Sequence, residues 1–414
     1  MPDVPSPAVH TKVMQAEIVV IGAGALGLST ALHCAIAGRS VIVVERDTAG
    51  SQASGRAAGL FKSVQADELR TRLARRSIEL ALSFGDWAGL PLDVTRSGSY
   101  LVARTGAHRD YLRTEASQSR RWGVDLREAS ASEVADGVSY YQRSQSTEFA
   151  LWCPEDVYIA EPIDLVTAYA AAARMRGVEV LEHESVTAIT MSGRKVSGVQ
   201  TSRRSISTPI VVDAAGAWTR QVAELAGTKV ALAPVRHQLL ITEPDAIAPS
   251  DPIVRVVDAA VYLRPARGGL MVGGFEKAPL AFDVVSPPVE MPLDREVLDG
   301  LAGQVSSEAP AALSPVAEHR GGMFTMSPDG RFILGPVPDV PGLWVASGCN
   351  GSGFSSSPAL GEELAAQITG TSPELAAFSP ARFGALSDSV LSDNALIAKG
   401  VWQYEHYYDP QEAT

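Results

Sequence analysis

Three glycines spaced as Gly-x-Gly-x-x-Gly are the residues whose spacing points most directly to chemistry. Gly22, Gly24 and Gly27 follow the apolar run at residues 18–21 and open an Ala/Leu-rich helical pattern. In a strand–turn–helix of this type, the first glycine permits the turn and the second lets the backbone approach a pyrophosphate. The third lets the helix pack closely on the strand. The phosphates would lie at the helix N-terminus, where unpaired amides and the positive dipole end face them.

An acidic residue follows the second strand of this unit. Glu45 comes directly after residues 41–44, at the offset where a carboxylate accepts hydrogen bonds from an adenosine ribose. Because Glu45 would repel a 2′-phosphate, NADP is disfavoured. The pattern therefore predicts a dinucleotide site, and a glycine-rich turn in another α/β protein is the competing interpretation.

Composition narrows the class of protein. The chain has 414 residues, of which 46% are hydrophobic, and a net charge of −12. The negative charge and the lack of a basic stripe argue against a nucleic-acid partner. Three cysteines, Cys34, Cys153 and Cys349, are too few for a disulfide framework or a metal site. No apolar run reaches the length of a membrane span. A cytoplasmic protein without metal or integral membrane segment is expected.

Two later segments indicate further contact between backbone and ligand. Residues 210–213 form a buried-strand pattern that leads into Gly216 and Trp218. Residues 343–347 form another strand, which runs into a second glycine-rich loop before a helix expected at residues 358–368. An Ala-Gly turn after any parallel strand is the alternative interpretation of the first segment.

A region of alternating strands lies between these segments. The patterns at 234–242, 260–265 and 270–274 predict antiparallel strands. Alternation places Tyr262 and Arg264 on one face, where a hydroxyl and a guanidinium could together bind a carboxylate. A solvated edge strand is an equally good interpretation. His237 is either a structural or a catalytic histidine.

Several motifs resemble those of the FAD-dependent amine and amino-acid oxidoreductases, the family that includes sarcosine oxidase, glycine oxidase, D-amino-acid oxidase and dimethylglycine dehydrogenase. The segment Arg56-Ala57-Ala58-Gly59-Leu60 looks like their flavin-side loop, and residues 318–330 are similar to a second signature. The Gly-Ala-Trp at residues 216–218 and the loop at 348–354 are similar to flavin-contacting segments of the family. The resemblance covers roughly residues 16–383.

This sequence departs from the family at four positions. Arg56 stands where some relatives have a histidine that carries covalent flavin, and Gly322 stands where monomeric sarcosine oxidase has a flavin-linked cysteine. Phe324 replaces a substrate-contacting tyrosine or arginine, and Ser355 replaces a carboxylate-binding lysine. The resemblance therefore implies FAD held without a covalent bond, and an anionic substrate group held by other residues, Arg264 first and Arg320 second.

The resemblance also implies the architecture. It predicts an α/β (α+β) fold in which a Rossmann-type FAD-binding domain is combined with a discontinuous antiparallel-sheet substrate domain. The FAD-binding domain is expected to comprise residues 14–90, 150–230 and 320–385, and the substrate domain residues 91–149 and 231–319. Residues 386–414 form an added tail without an assigned purpose.

The candidate site residues fall into two groups. The expected cofactor-binding residues are Gly22, Gly24, Gly27, Glu45, Arg46, Ser54, Arg56, Ala57, Ala58, Val186, Gly216, Trp218, Gly348, Asn350, Gly351, Gly353 and Phe354. The candidate catalytic residues are Arg56, His237, Tyr262, Arg264, Arg320 and Phe324.

The implied reaction is oxidation of the C–N bond of a secondary amine or an N-methyl or cyclic amino acid. Hydride moves to flavin N5 and leaves an imine that hydrolyses, while protein groups orient the amine. A D-amino-acid or primary-amine oxidase on the same scaffold, and a non-catalytic FAD-binding subunit of a larger complex, are the alternatives. Oxygen or another acceptor takes the electrons, and oligomers are compatible with the sequence.

Overall fold

Alternation of β-branched strands with Ala/Leu-rich helices produces a parallel sheet at the start of the chain. A computed structural model describes residues 14–384 and 392–408. Its α-helices are α1 (Ala25–Ile36), α2 (Glu68–Leu82), α3 (Phe84–Ala88), α4 (Gly106–Arg121), α5 (Ala131–Gly137), α6 (Pro162–Met175), α7 (Thr219–Glu224), α8 (Arg295–Val305), α9 (Gly353–Ile368) and α10 (Asp393–Glu405).

The strands form four sheets. In chain order they are β1 (Met14–Gln15), β2 (Ile18–Ile21), β3 (Val41–Val44), β4 (Leu60–Phe61), β5 (Ser99–Ala103), β6 (Arg127–Ala129), β7 (Phe149–Cys153), β8 (Val157–Tyr158), β9 (Glu179–Leu181), β10 (Val186–Ser192), β11 (Lys195–Thr201), β12 (Ser205–Ser207), β13 (Ile210–Asp213), β14 (Ala233–Thr242), β15 (Ile253–Val256), β16 (Val261–Ala266), β17 (Gly269–Gly274), β18 (Val316–Met326), β19 (Ile333–Pro336) and β20 (Leu343–Ser347).

A six-stranded sheet carries the glycine motif. Its order is β19-β20-β13-β2-β3-β9, and every neighbouring pair is parallel except β19 with β20. The strands β2 and β3 are buried throughout, as expected when helices cover a parallel sheet. The central position of β2 places the loop that follows it at the carboxyl edge of the sheet, where such folds bind ligands.

The second large sheet has eight strands and borders the ligand cavity that is described below. Its order is β18-β14-β17-β16-β15-β5-β7-β6, and only the pair β15–β5 is parallel. The long strands β14 and β18 pair in antiparallel register, with His237 opposite Gly322. The expected α/β fold with an antiparallel second sheet is confirmed by this topology and by the structural similarities given below.

The two large sheets draw their strands from interleaved parts of the chain. Strands β7 and β18, at residues 149–153 and 316–326, belong to the eight-stranded sheet and cross the expected boundaries at 150 and 320. The exact division into domains stays a prediction.

The prediction that a helix begins at residue 358 was wrong. Helix α9 begins at Gly353 and contains Pro358 in its interior. Pro358 has no N–H to donate to the carbonyl of Phe354, and Ser357 Oγ donates to that carbonyl instead at 2.8 Å. A neighbouring hydroxyl thus replaces the lost backbone hydrogen bond, and the helix continues through the proline.

The expected tail is partly described. Residues 385–391 and 409–414 lie outside the described residues. Within the described part, α10 packs on β14 and β18 of the eight-stranded sheet. Tyr404 near the end of α10 is fully buried, so this segment is an integral part of the packed structure.

Candidate cofactor and substrate site

The glycine loop between β2 and α1 is shaped by close backbone contacts. Gly22 has a φ of +104°, and a Cβ there would lie 2.5 Å from the carbonyl oxygen of Ala214. A Cβ at Gly27 would lie 2.1 Å from the Gly22 carbonyl oxygen. Around Gly24, by contrast, the nearest atom to an added Cβ is Ser54 Oγ, at 3.1 Å. Gly27 therefore serves packing and Gly24 borders the open cavity.

The first turn of α1 faces this cavity. Gly24 is its N-cap and has no side chain with which to cap the helix. The amide of Ala25 donates to Ser54 Oγ at 3.0 Å. Ser54 therefore supports the loop from one side, and the positive end of α1 is turned toward a ligand's phosphates.

Glu45 is held rigidly at the end of β3. Its Oε2 accepts the amide proton of Ala23 at 2.8 Å, and its Oε1 accepts that of Asp47 at 2.8 Å. The carboxylate lines the cavity and retains lone pairs that can accept from ribose hydroxyls. The neighbouring Arg46 lies over the ring of Trp218 at 4.2 Å. Other predicted cofactor residues also line this end of the cavity: Ala57, Ala58, Val186 and Gly216.

The second glycine loop reaches the cavity through only some of its residues. Gly351, Gly353 and Phe354 line it, and α9 begins there without a side-chain cap from the described residues. Gly348 and Asn350 do not line it. The Asn350 side chain donates to the Gly348 carbonyl at 2.6 Å and accepts from the Ser327 amide at 2.9 Å, so these two residues support the loop from behind.

Arg56 is the last residue of the short helical turn Ala53–Arg56 and lines the cavity. Its guanidinium makes no hydrogen bond or ion pair with the described residues. A cation without a protein partner remains available to a bound anion or to a ring oxygen. That Arg56 lies near the flavin stays a prediction.

At the opposite end, His237 is the centre of a buried group of aromatic rings. Its Nε2 lies 2.9 Å from Tyr262 Oη, its Nδ1 lies 2.8 Å from Tyr404 Oη, and its ring stacks on Phe324 at 4.2 Å. Burial lowers the pKa of His237 to about 3, so the imidazole is neutral at physiological pH. A Cβ at Gly273 would lie 2.2 Å from Tyr262 Oη; glycine there lets the phenol reach His237.

The choice of Arg264 as the first anion anchor has to be corrected. Its side chain is fully buried and does not line the cavity. The guanidinium donates to the carbonyls of Ala58 at 2.7 Å, Ala160 at 2.9 Å and Pro265 at 2.6 Å. With one donor of each of its three nitrogens bound to the backbone, Arg264 holds the flavin-side loop against the second sheet. Periodicity gave the correct strand face but could not show where the side chain ends.

Arg320, the second choice, does line the cavity. Two carboxylates already share its charge, because Arg320 forms ion pairs with Glu318 and with Glu161, the latter at 3.0 Å. Its Nη1 is buried and has no hydrogen-bond partner among the described residues. Arg320 can therefore offer one donor edge to a ligand but little uncompensated charge.

Sequence reasoning missed five residues of this end of the cavity. Arg255 stands alone in the β-branched strand β15, a pattern that could have marked a buried functional cation. Lys62 follows β4 directly, two residues after the segment 56–60 that resembles the flavin-side loop. The three tyrosines come from the C-terminal segment and had no local signal. The four that line the cavity are Lys62, Arg255, Tyr407 and Tyr408, and Tyr404 lies behind His237.

The geometry fits a dinucleotide site of the flavoprotein type, with two helix N-termini and the carboxylate of Glu45 around one cavity. The chain belongs to the family described as FAD dependent oxidoreductase (DAO), which its sequence matches over residues 17–367. The expected family, the cofactor FAD and the oxidoreductase class are thereby confirmed.

Individual relatives agree with this assignment. The chain is 30% identical to human mitochondrial sarcosine dehydrogenase, over 87% of this chain and 40% of that protein. It is 29% identical to 4-methylaminobutanoate oxidase (formaldehyde-forming) of Paenarthrobacter nicotinovorans, over 86% of this chain and 44% of that protein. The L-proline dehydrogenase from P. horikoshii superimposes with a TM-score of 0.82 at 25% identity, over 90% of this chain and 98% of that one. The chain thus spans less than half the length of these two curated relatives.

Within residues 14–384 and 392–408, no helix combines the length and apolar character needed to cross a membrane.

Replacing Gly24 with valine tests the cofactor site. A Cβ there meets only the side-chain hydroxyl of Ser54, at 3.1 Å, and no backbone atom within 4 Å, so the fold should survive while the pyrophosphate path is blocked. We expect the purified variant to retain roughly a tenth or less of the parental FAD content, measured by absorbance. Gly300→Ala, in a helix where an added Cβ meets nothing within 4 Å, is the control. Parental flavin content in Gly24→Val would mean that the motif binds something else.

Burial of His237 predicts a pH dependence of stability. The pKa of His237 is lowered to about 3 from its ordinary 6.5, so below pH 6.5 the unfolded chain takes up a proton that the folded chain refuses. Stability should fall by about 1.4 kcal/mol per pH unit as the pH decreases from 6.5. His33, whose pKa burial lowers to about 4, contributes in the same direction. The unfolding free energy, measured with denaturant at several pH values, should change less per pH unit in His237→Gln than in the control His108→Gln. Equal pH dependence in the two variants would contradict the assignment.

Proposed function

We propose that this protein oxidises the C–N bond of a secondary amine that carries a carboxylate, an N-methyl or cyclic amino acid. The single observation behind the proposal is that two cationic side chains, Lys62 and Arg255, line the same cavity as Tyr262 and the aromatic rings around His237. The names of the relatives, which include a sarcosine dehydrogenase and a 4-methylaminobutanoate oxidase, agree with such a substrate.

Arg255 and Tyr262 form the centre of the proposed carboxylate site. They are direct partners across β15 and β16, so their side chains leave the same face of the sheet. Arg255 Nη1 donates to Ser99 Oγ at 2.9 Å and to Asp156 Oδ2 at 2.8 Å. Its Nε and Nη2 make no hydrogen bond with the described residues, and the residue lines the cavity. A fork of donors and a hydroxyl thus face the same space.

Lys62 supplies the second cation. Its Nζ lies 3.8 Å from Glu115 Oε1 and 6.0 Å from the ring of Tyr408. Burial by itself lowers the pKa of Lys62, but Glu115 and the nearby tyrosines outweigh it and raise the pKa. The ammonium group is therefore charged at neutral pH. A buried carboxylate requires such charge-assisted partners.

Lys62, Arg255 and Tyr262 would compensate for the substrate-binding residues of the family that this chain lacks. Phe324 and Ser355 stand where a polar or cationic substrate contact is implied by the resemblance. In their place the cavity offers aromatic rings at Phe324 and Phe275 together with the cations Lys62 and Arg255. An amine with an apolar body and an anionic end fits this distribution.

The protein's own part in the reaction is orientation and exclusion of water. FAD, when bound, supplies the hydride acceptor. The neutral His237 and the aromatic rings around it give the amine end a weakly polar environment, which favours the unprotonated amine that can lose hydride. Arg56, without a carboxylate partner among the described residues, is positioned to favour the reduced, more negative flavin.

An anaerobic bleaching assay tests this function. Sarcosine, 4-methylaminobutanoate, L-proline and glycine would each be mixed with the yellow protein, and loss of flavin absorbance followed. We expect a secondary amino acid to bleach the flavin faster than glycine. Faster bleaching by glycine would favour the primary-amine oxidase, and no bleaching by any amine would favour the non-catalytic subunit.

Replacement of Lys62 by methionine tests the carboxylate site. Met keeps the length of the side chain but removes the charge, so kcat/KM for the best amino acid should fall roughly 10- to 150-fold. The same substitution at the exposed Lys277 is the matched control. The corresponding amine without the carboxylate, such as dimethylamine in place of sarcosine, should show no loss. An equal loss for acid and amine would contradict the assignment.

FAD should be released when the protein is denatured with acid or heat. Neither Arg56 nor Gly322 provides the histidyl or cysteinyl link found in relatives. Cys349 is the one thiol that lines the cavity in the described residues, and burial raises its pKa to about 11, which keeps it an unreactive thiol. Flavin fluorescence that follows the polypeptide on a denaturing gel would contradict this expectation, and its loss in Cys349→Ser would identify the link.

A further inference from the structure

The C-terminal segment Ser392–Tyr408 reaches the substrate end of the cavity. It lies beyond residues 17–367, over which the chain matches its family. Helix α10 packs against β14 and β18, where a Cβ at Gly400 would lie 2.9 Å from Ala233 Cβ. This close contact brings Tyr404 behind His237 and carries Tyr407 and Tyr408 to the cavity wall.

The three groups Tyr404, His237 and Tyr262 form a continuous hydrogen-bonded chain. The two links are 2.8 Å and 2.9 Å long. A neutral imidazole has one N–H and one lone pair, so the chain must run in one direction. Either Tyr404 donates to His237 and His237 to Tyr262, or both bonds are reversed.

Burial distinguishes the two directions. Tyr404 is fully buried, and among the described residues its hydroxyl has no hydrogen-bond acceptor other than His237 Nδ1. In the reversed chain the Tyr404 proton would therefore be buried without an acceptor, at the cost of an unsatisfied donor. In the forward chain every proton within the protein is satisfied. The hydroxyl proton of Tyr262 then has no acceptor within the hydrogen-bonded chain and is available to a ligand, because the Tyr262 side chain lines the cavity.

The C-terminal segment also supplies aromatic side chains that line the cavity. Tyr407 stacks on Phe275 with 4.1 Å between ring centroids, and Tyr408 lies edge-on to Phe275 at 5.5 Å. Phe275 is in turn 5.2 Å from His237. The C-terminal tyrosines thus close the aromatic end of the cavity beside the proposed carboxylate site.

We propose that the C-terminal segment is part of the substrate site, in which Tyr404 orients His237 and thereby makes Tyr262 a hydrogen-bond donor to the substrate's carboxylate. Tyr404 is a positioning residue, because it acts through His237 and Tyr262. The identity of the acceptor as a carboxylate rests on the proposed function. The direction of the chain does not, since it follows from the protein's own groups.

Nuclear magnetic resonance of the holoenzyme tests the direction. With histidine labelled with nitrogen-15, the protonated and unprotonated ring nitrogens resonate apart, and the His237 signal is identified by its loss in His237→Gln. We expect the parent to carry its proton on Nε2. The Nδ1–H form should increase in Tyr404→Phe, which keeps the ring and removes only the hydroxyl. A parent protonated on Nδ1 would overturn the proposal without any need for a substrate.

Steady-state kinetics test whether Tyr404 acts on substrate binding through Tyr262. For the amino acid selected by the bleaching assay, Tyr404→Phe should raise KM roughly three- to tenfold, while kcat and FAD content stay within about a factor of two. Tyr262→Phe should raise KM as well. In the Tyr262→Phe background, adding Tyr404→Phe should change KM little, because the group that it orients is already absent.

Trp402→Phe is the matched control. Trp402 lies on the same helix, is 48% exposed and stacks on His406, so its substitution should leave both the tautomer and KM unchanged. Additive effects of Tyr404→Phe and Tyr262→Phe would overturn the proposal and leave the amine oxidation intact. If no amine bleaches the parent, the proposed function fails, and the tautomer measurement still decides the direction of the chain.

Discussion

The close packing of α1 against α9 is the constraint on which the cavity depends. A Cβ at Gly361 would lie 2.2 Å from Ser29 Oγ, so only glycine allows the two helices to approach this closely. Their first turns then open onto the same space, and neither N-cap residue caps its helix with a side-chain hydrogen bond. The unpaired amides of both helices are thereby presented to one ligand, which matches an extended dinucleotide with separate anionic and ring ends.

Arg264 links the eight-stranded sheet to the segments packed against it. By donating to the carbonyls of Ala58 and Ala160 from β16, it joins the flavin-side loop, the start of α6 and the eight-stranded sheet. The two sheets and the cavity between them are therefore held by directional bonds as well as by apolar packing. The substrate end is completed from a third direction by α10.

Local and long-range information explain what the sequence could predict. The loop at Gly22 and the strand positions of His237 and Tyr262 follow from nearest-neighbour patterns, and the structure places them as expected. The partnership of Arg255 with Tyr262 depends on which strands become neighbours, and that of Tyr404 with His237 joins residues far apart in the chain. Neither is encoded in a local pattern. The start of α9 was missed because the hydroxyl of Ser357 offsets the missing proline amide, an effect that propensity does not contain.

The surroundings of Arg264 have an electrostatic consequence. Burial lowers its pKa to about 10, so the guanidinium keeps its charge, yet it is held by three carbonyl dipoles instead of a carboxylate. Carbonyl dipoles solvate a cation without cancelling its long-range field. Together with Arg56, this charge adds a positive contribution to the potential at the cavity, which mobile salt screens less well than a charge at the surface. In a chain with a net charge of −12, these two cations would favour an anion at this place against the overall negative charge.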